Sequence, residues 1–150
     1  MSVSWKVIMR QLTRLFCSIQ KNSLKSGDFI KETRIITQKE LDGFSELTGD
    51  HNTIHKTSNK SKAIVHGAYL NGIVAGIIGT KFPGPGTFVI EQNFTFPNKC
   101  ICEQPINVHI KLIEARKILL VIYECSQHDK IVFRGNAKLI IEKDIKSNVH

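Results

Sequence analysis

No acidic side chain occurs before Asp28. Over those first 27 residues Lys6, Arg10, Arg14, Lys21 and Lys25 stand among Leu, Ile, Val, Phe and Trp with hydroxyl residues between them, a composition that resembles a mitochondrial transit peptide more than a folding unit. Long apolar runs are also missing. None before Lys21 is long enough for the apolar centre of a secretory signal peptide, and none anywhere reaches the roughly 20 residues of a membrane span. Cysteine is scarce. With Cys17 in the basic segment, only Cys100, Cys102 and Cys125 remain, an odd number that argues against a disulfide framework and for a reducing compartment. The Cys100-Ile101-Cys102 spacing is too tight for the usual zinc ligand pairs. Gly84-Pro85-Gly86 lacks the Lys-Ser/Thr ending of a phosphate loop, which disfavours nucleotide binding. Internal repeats and low-complexity tracts are absent.

What is present is enough for one domain. A chain of 150 residues, 41% hydrophobic and 23% charged, has globular values and room for a single core. The net charge of +8 suggests nucleic acid until it is divided along the chain. Residues 1–27 hold five cations and no acid, leaving 16 basic and 13 acidic residues over 28–150, a mildly basic body. The expected division is therefore 1–27 as a transit peptide or a disordered basic arm that stays attached, and 28–150 as the folded domain. An RNA-binding reading draws on the high pI alone, because no strand carries an aromatic and basic stripe.

Residues 29–36 alternate weakly and predict a first strand. Thr37-Gln38-Lys39-Glu40 has the form of a capping box, and Leu41, Phe44 and Leu47 follow as one apolar stripe on a helix of about ten residues. Gly49 is placed to end it in the left-handed conformation. Residues 68–78 are apolar at nearly every position, with Gly72 and Gly76 as gaps, which predicts a helix enclosed on all sides, the glycines marking close approach of other elements. Lys81-Phe82-Pro83-Gly84-Pro85-Gly86 stops it. Beyond lies antiparallel sheet: Ile90, Gln92, Phe94 and Phe96 share one face; Ile106, Val108, Ile110 and Leu112 share another; residues 118–125 and 131–141 supply two more strands joined by a tight connection over 127–130. The expected class is α+β, an antiparallel sheet wrapped around a long central helix. Its edges need cover, for which an edge-to-edge homodimer is a natural solution.

Chemistry concentrates in Phe44-Ser45-Glu46-Leu47-Thr48-Gly49-Asp50-His51-Asn52-Thr53-Ile54-His55, followed by Ile64-Val65-His66-Gly67. A carboxylate and an imidazole five residues apart, held on a turn behind Gly49, can move a proton beside a carbonyl group, and N–H groups of the helix beginning near Gly67 can face the oxygen on which charge develops. Taken singly, Asp50 reads as a turn-capping carboxylate and His55 as a surface imidazole. His66 reads as a structural residue at the helix start rather than a third catalyst, and His51 as solvent-facing. A zinc site from His51, His55 and His66 is disfavoured, since no helix is expected across Asn52 and Thr53.

In this order the motifs resemble the MaoC-like or (R)-hydratase branch of the hot-dog fold, most closely the mitochondrial hydroxyacyl-thioester dehydratase type 2. Gly79-Thr80-Lys81, Pro83-Gly84-Pro85-Gly86, Gln92, Phe94 and Phe96-Pro97 complete the match, which covers residues 28–142. The resemblance implies a single hot-dog domain and reversible dehydration of a (3R)-3-hydroxyacyl thioester of acyl carrier protein or coenzyme A to a trans-2-enoyl thioester. Asp50 and His55 take the place of the catalytic dyad. Asn52 takes that of the residue holding the loop, Gly67 offers the oxyanion N–H, and His66 joins them on the substrate side. No metal or cofactor is implied. The resemblance also implies a mitochondrial matrix setting, with acyl-carrier-linked substrates of fatty acid synthesis. Thr53 stands where the family has proline, and residues 56–63 are shorter than its corresponding segment. Lys56, Lys60 and Lys62 make that segment basic and are expected to meet the acidic carrier or the phosphates of the thioester arm. Rival readings are a non-catalytic acyl-thioester binder and an acyl thioesterase, because fold alone never determines reaction.

Overall fold

The computed structural model describes residues 24–142. The transit-peptide expectation lies almost wholly outside them; Leu24 packs against the core, and Gly27 N–H donates to Leu112 O at 2.8 Å, so the described chain is tied to the domain slightly upstream of residue 28.

The order is β1 (Phe29–Ile35), α1 (Gln38–Thr48), a 3-10 turn (Thr53–His55), α2 (Gly67–Thr80), β2 (Thr87–Thr95), β3 (Pro105–Ala115), β4 (Leu119–Gln127) and β5 (Lys130–Ile141). The class is α+β. The strands form one antiparallel sheet in the order β1-β3-β4-β5-β2, leaving β1 and β2 at the edges.

Local chemistry explains the boundaries. Thr37 and Glu40 make the expected capping box, and Glu103 adds a second acceptor, its Oε1 taking the Gln38 N–H at 2.8 Å. Gly49 ends α1 at φ 75°, where a Cβ would be strained. The stripe on α1 differs from expectation at its far end: Leu41 and Ser45 are buried, whereas Leu47 is 87% exposed. Two successive steps of three drift about 120° round a helix, so Leu47 leaves the face that Ser45, one step of four from Leu41, keeps.

The sheet's inner face carries Ile106, Val108, Ile110 and Leu112 from β3 as predicted, with Leu119, Val121, Tyr123 and Cys125 from β4 and Val132, Phe133, Ala137 and Leu139 from β5. On β2 the predicted alternation breaks. A bulge between Val89 and Glu91 shifts the register, so Val89 packs against the core and Ile90 is exposed. At Gly135 an added Cβ would run into the Asn93 backbone carbonyl and lie 2.5 Å from the Tyr123 hydroxyl, which is why β2 can close on β5 there. The 127–130 connection is a two-residue hairpin with His128 and Asp129 at positive φ.

Helix α2 buries Leu70, Ile73, Val74, Ile77 and Ile78 in this core, each worth about 1.5–3 kcal/mol of burial. Enclosure on all sides is not found. Ala68, Gly72, Ala75 and Gly76 are exposed, and among the described residues nothing lies within 4 Å of a Cβ built at Gly72, Gly76 or Gly79. These residues are apolar by type but small, so helix periodicity leaves a face with little surface to hide. Among the described residues, no helix is long and apolar enough to cross a membrane.

Candidate functional site

Three polar side chains, two from one loop and one from the N-cap of α2, meet beside the start of that helix. The loop after Gly49 is wound by its own side chains: Asn52 N–H donates to Asp50 Oδ1 at 3.2 Å, and Ile54 N–H donates to Asn52 Oδ1 at 3.3 Å, so Asn52 caps the 3-10 turn that delivers His55. No helix was expected across Asn52 and Thr53; the short turn forms because Asn52 caps it. Gln38 Nε2 donates to the His55 carbonyl at 2.9 Å, and Ile64 N–H donates to Ile54 O at 2.9 Å, closing the loop from both sides.

The His55 ring is buried, and its Nδ1 lies 2.6 Å from the Ile64 carbonyl oxygen. A carbonyl only accepts, so Nδ1 carries the hydrogen and, in the neutral ring, Nε2 presents a bare lone pair. That lone pair faces Asp50 Oδ2 at 3.7 Å. Two acceptors at this separation form no hydrogen bond; a proton or a shared water or hydroxyl donor satisfies both. Asp50 is 47% exposed, so the pair is open to solvent on the carboxylate side.

His66 joins them from the N-cap of α2. Its ring stacks on that of His55 with centroids 3.6 Å apart and planes 21° from parallel, while Phe44 meets its other side edge-on at 5.0 Å. His66 Nε2 lies 3.3 Å from Ser45 Oγ and 3.9 Å from Asp50 Oδ2; among the described residues its buried Nδ1 has no partner. Burial lowers the affinity of His66 for a proton and the adjacent His55 ring lowers it further, so this imidazole is held neutral. Ser45 had no role assigned from its sequence; its place four residues after Leu41, on the buried face of α1, is the signal that could have found it, and its Oγ helps orient His66.

Asp50, His55 and His66 offer donor atoms all within 4.8 Å of one another. A tetrahedral ion at about 2.0–2.1 Å from nitrogen needs lone pairs that converge. Two imidazoles stacked nearly parallel direct theirs side by side, so the arrangement fits proton traffic better than a metal. His51, the other histidine of the zinc reading, is exposed and outside this cluster.

A cleft of about 810 Å³ opens from His55 along Ile54, Ile64, Val65, Gly67, Leu70, Phe96 and Val132, with Asn98, Lys99 and Lys130 also on its wall. Its lining is largely apolar, suited to a small acyl chain. Gly67 begins α2, where N–H groups are left without helix partners and the helix dipole is positive. Among the described residues neither the Gly67 nor the Ala68 N–H donates to another protein group. A Cβ at Gly67 would stand 2.8 Å from the Phe96 ring, so glycine keeps the passage between helix and ring open. Asp50, His55 and His66 are thus brought together and Asn52 winds the loop that carries the first two; His55 and Gly67 line the cleft, whereas Asp50, Asn52 and His66 stand behind its lining. Lys56, Lys60 and Lys62 are not brought in: they are exposed on residues 56–62 and do not line the cleft, because that segment turns back on itself through the Ser58 and Ser61 bonds.

No protein-family model matches the chain. It is 33% identical over 118 residues to the 3-hydroxybutyryl-CoA dehydratase of Methylorubrum extorquens, a match covering 72% of this chain and 74% of that protein. It is 30% identical over 78 residues to the mitochondrial 3-hydroxyacyl-acyl-carrier-protein dehydratase of Arabidopsis thaliana, covering 47% of each. The solved (R)-hydratase from A. caviae involved in PHA biosynthesis superposes with a TM-score of 0.74 at 20% identity, covering 81% of this chain and 99% of that one.

Proposed function

The chain belongs to the MaoC-like (R)-hydratase hot-dog family, and from that premise we propose that it catalyses the reversible hydration of a trans-2-enoyl thioester to a (3R)-3-hydroxyacyl thioester. The observation that carries the reading is the bare Nε2 of His55 facing Asp50 Oδ2 across 3.7 Å. A water held between two acceptors has both hydrogens occupied and its oxygen lone pairs free, which is the posture for attack on C3.

In hydration the water oxygen bonds to C3, the electron pair of the double bond moves toward the thioester carbonyl, and a proton is delivered to C2. Both groups start as proton-free acceptors toward the water, so the proton that His55 or Asp50 takes from it is the one returned to C2, either by the same group or after passing to the other. Each such group contributes about 10²–10⁴ in rate. The Gly67 N–H at the positive end of α2 stabilises the charge on the thioester oxygen, a donor of a kind worth about 3–4 kcal/mol. Dehydration runs the same steps backward. His66 stays neutral under its stack and keeps the His55 ring in plane, and Asn52 keeps the turn wound.

The substrate class proposed is the thioester of acyl carrier protein or coenzyme A, and the setting the mitochondrial matrix in fatty acid synthesis. The acid-free residues 1–27 and the partial match to the Arabidopsis mitochondrial protein support this. A homodimer is proposed as well, supported by the exposed small-residue face of α2 and by Phe88 and Ile90 on edge strand β2. The deciding experiment follows loss of enoyl-thioester absorbance with wild type, Asp50→Asn and His55→Ala. Equal turnover in all three overturns the dyad. Tight acyl-thioester binding without turnover identifies a binder instead, and release of free thiol without 3-hydroxyacyl product a thioesterase.

A further inference from the structure

We propose that Lys99 and Lys130 form a phosphate subsite that holds the pantetheine arm of the thioester carrier as its acyl end enters the cleft; this rests on the hydratase reading above. The two lysines are distant in sequence and neighbours in space. Asn98 Nδ2 donates to the Ile131 carbonyl at 2.8 Å, and Lys99 follows Asn98 while Lys130 precedes Ile131, so one hydrogen bond sets the two cations on abutting segments. Both line the same cleft as His55 and Gly67, and among the described residues its lining contains no carboxylate. His55 is buried and the two lysines are exposed, which makes them the mouth of the passage and the imidazole its inner wall.

The support under Lys99 is rigid. Gln127, itself buried, accepts the Ile101 N–H at 2.8 Å and donates Nε2 to the Ile101 carbonyl at 2.9 Å. On the other side Val65 N–H donates to Cys100 O at 2.8 Å, and Ile64 bridges Ile101. The segment bearing Lys99 is therefore clamped to β4, to β5 and to the segment that leads into α2. Lys130 opens β5 directly after a two-residue hairpin, its backbone paired with Gln127 of β4. Among the described residues neither lysine forms an ion pair, unlike Lys81 and Lys138, which are paired with Glu32 and Glu91. Two positioned cations without acidic partners, at the rim of an apolar cleft, suit a dianionic or diester phosphate on an otherwise neutral chain.

Coenzyme A and the prosthetic arm of acyl carrier protein share that phosphate next to pantetheine, so the chemistry recognised is common to both carriers. The test uses the full chain and the double variant Lys99→Gln with Lys130→Gln, assayed on an enoyl-CoA, an enoyl-acyl-carrier-protein and an enoyl-pantetheine that lacks phosphate. The expected result is a rise in KM of about tenfold on one or both phosphate-bearing substrates, with kcat little altered, as loss of two exposed contacts implies. The enoyl-pantetheine KM stays where it was, the wild-type salt dependence on the charged substrates flattens, and Lys99→Arg with Lys130→Arg restores the KM. Whichever carrier shows the rise names the source of the phosphate. An unchanged KM on both carriers, or an equal rise on enoyl-pantetheine, overturns the subsite. If wild type turns over none of the three, the hydratase reading fails by itself, and the subsite is judged by coenzyme A binding at equilibrium: a Kd identical in wild type and double variant overturns it.

Discussion

Asp50→Asn is the sharpest perturbation of the site, because it changes chemistry and leaves shape alone. Asparagine keeps an oxygen for the Asn52 N–H that Asp50 Oδ1 now accepts at 3.2 Å, so the loop that presents His55 stays wound. What changes lies opposite His55 Nε2. The carboxylate oxygen at 3.7 Å gives way to an amide N–H that can donate to the bare lone pair, closing the gap that a water or hydroxyl is proposed to occupy. On the proposed mechanism one proton-transfer group is lost, worth about 10²–10⁴ in kcat, or about 2.7–5.4 kcal/mol of barrier at 1.36 kcal/mol per tenfold. Stability moves little: Asp50 is half exposed, and an exposed pair of this kind contributes about 0–1 kcal/mol. Enoyl-thioester hydration should therefore fall by at least a hundredfold with the thermal midpoint within a few degrees of wild type. Pairing it with His55→Ala should lose no more than the worse single variant, since the two act as a unit. An Asp50→Asn enzyme within threefold of wild type in kcat/KM, or one whose activity falls only as its melting midpoint falls, would refute the reasoning.

Gly67→Ala should cost up to about 10² in kcat/KM with a near-normal melt, because the new methyl meets the ring of Phe96, which is half exposed and can swing, and the displacement narrows the cleft at the helix N-terminus; unchanged kinetics would remove Gly67 from the site. Gly135→Ala should cost at least about 2 kcal/mol, roughly 10 °C in thermal midpoint, since its Cβ meets a backbone carbonyl that cannot yield; an unshifted melt would contradict the β2–β5 approach. Acid should weaken the fold in two windows. His66, held below its ordinary 6.5 by burial and by His55, takes up its proton more readily when unfolded, so stability falls as pH drops through 6.5, and His66→Gln abolishes that limb. Glu40, which burial alone would raise, is pulled from 4.5 to about 2 by bonds from Thr37, Arg34 and Tyr69, so its contribution is present above 4.5 and lost toward 2. Denaturant midpoints across that range check both, and a curve flat between 7 and 5 in wild type would refute the first.

Much of this molecule was legible as local chemistry. The capping box at Thr37 and Glu40, the Gly49 stop, the hairpin after Gln127 and the alternation of β3 depend on neighbours a few residues apart, where spacing alone decides geometry. The same held for Asp50, Asn52 and His55, which one short loop carries together. The misreadings came where distance in the sequence mattered. Leu47 lies outside the α1 stripe because helix phase drifts, and the bulge at Val89 and Glu91 moves Ile90 off the inner face. On α2, glycines that looked like gaps for close packing face open space.

By itself, then, the sequence determined which elements form and which loop carries Asp50 and His55, since hydrogen-bonded caps, turns and periodicity are short-range. Only the tertiary structure decided what those groups do to each other: that His55 gives its Nδ1 hydrogen to Ile64 and turns its lone pair to Asp50, and that His66 stacks over it. It also decided that Lys99 and Lys130, rather than the lysines beside His55, stand at the cleft's mouth. Those relations depend on separate segments being pressed together by a shared core. Burial sets that packing across the whole domain, and no window of neighbouring residues contains it.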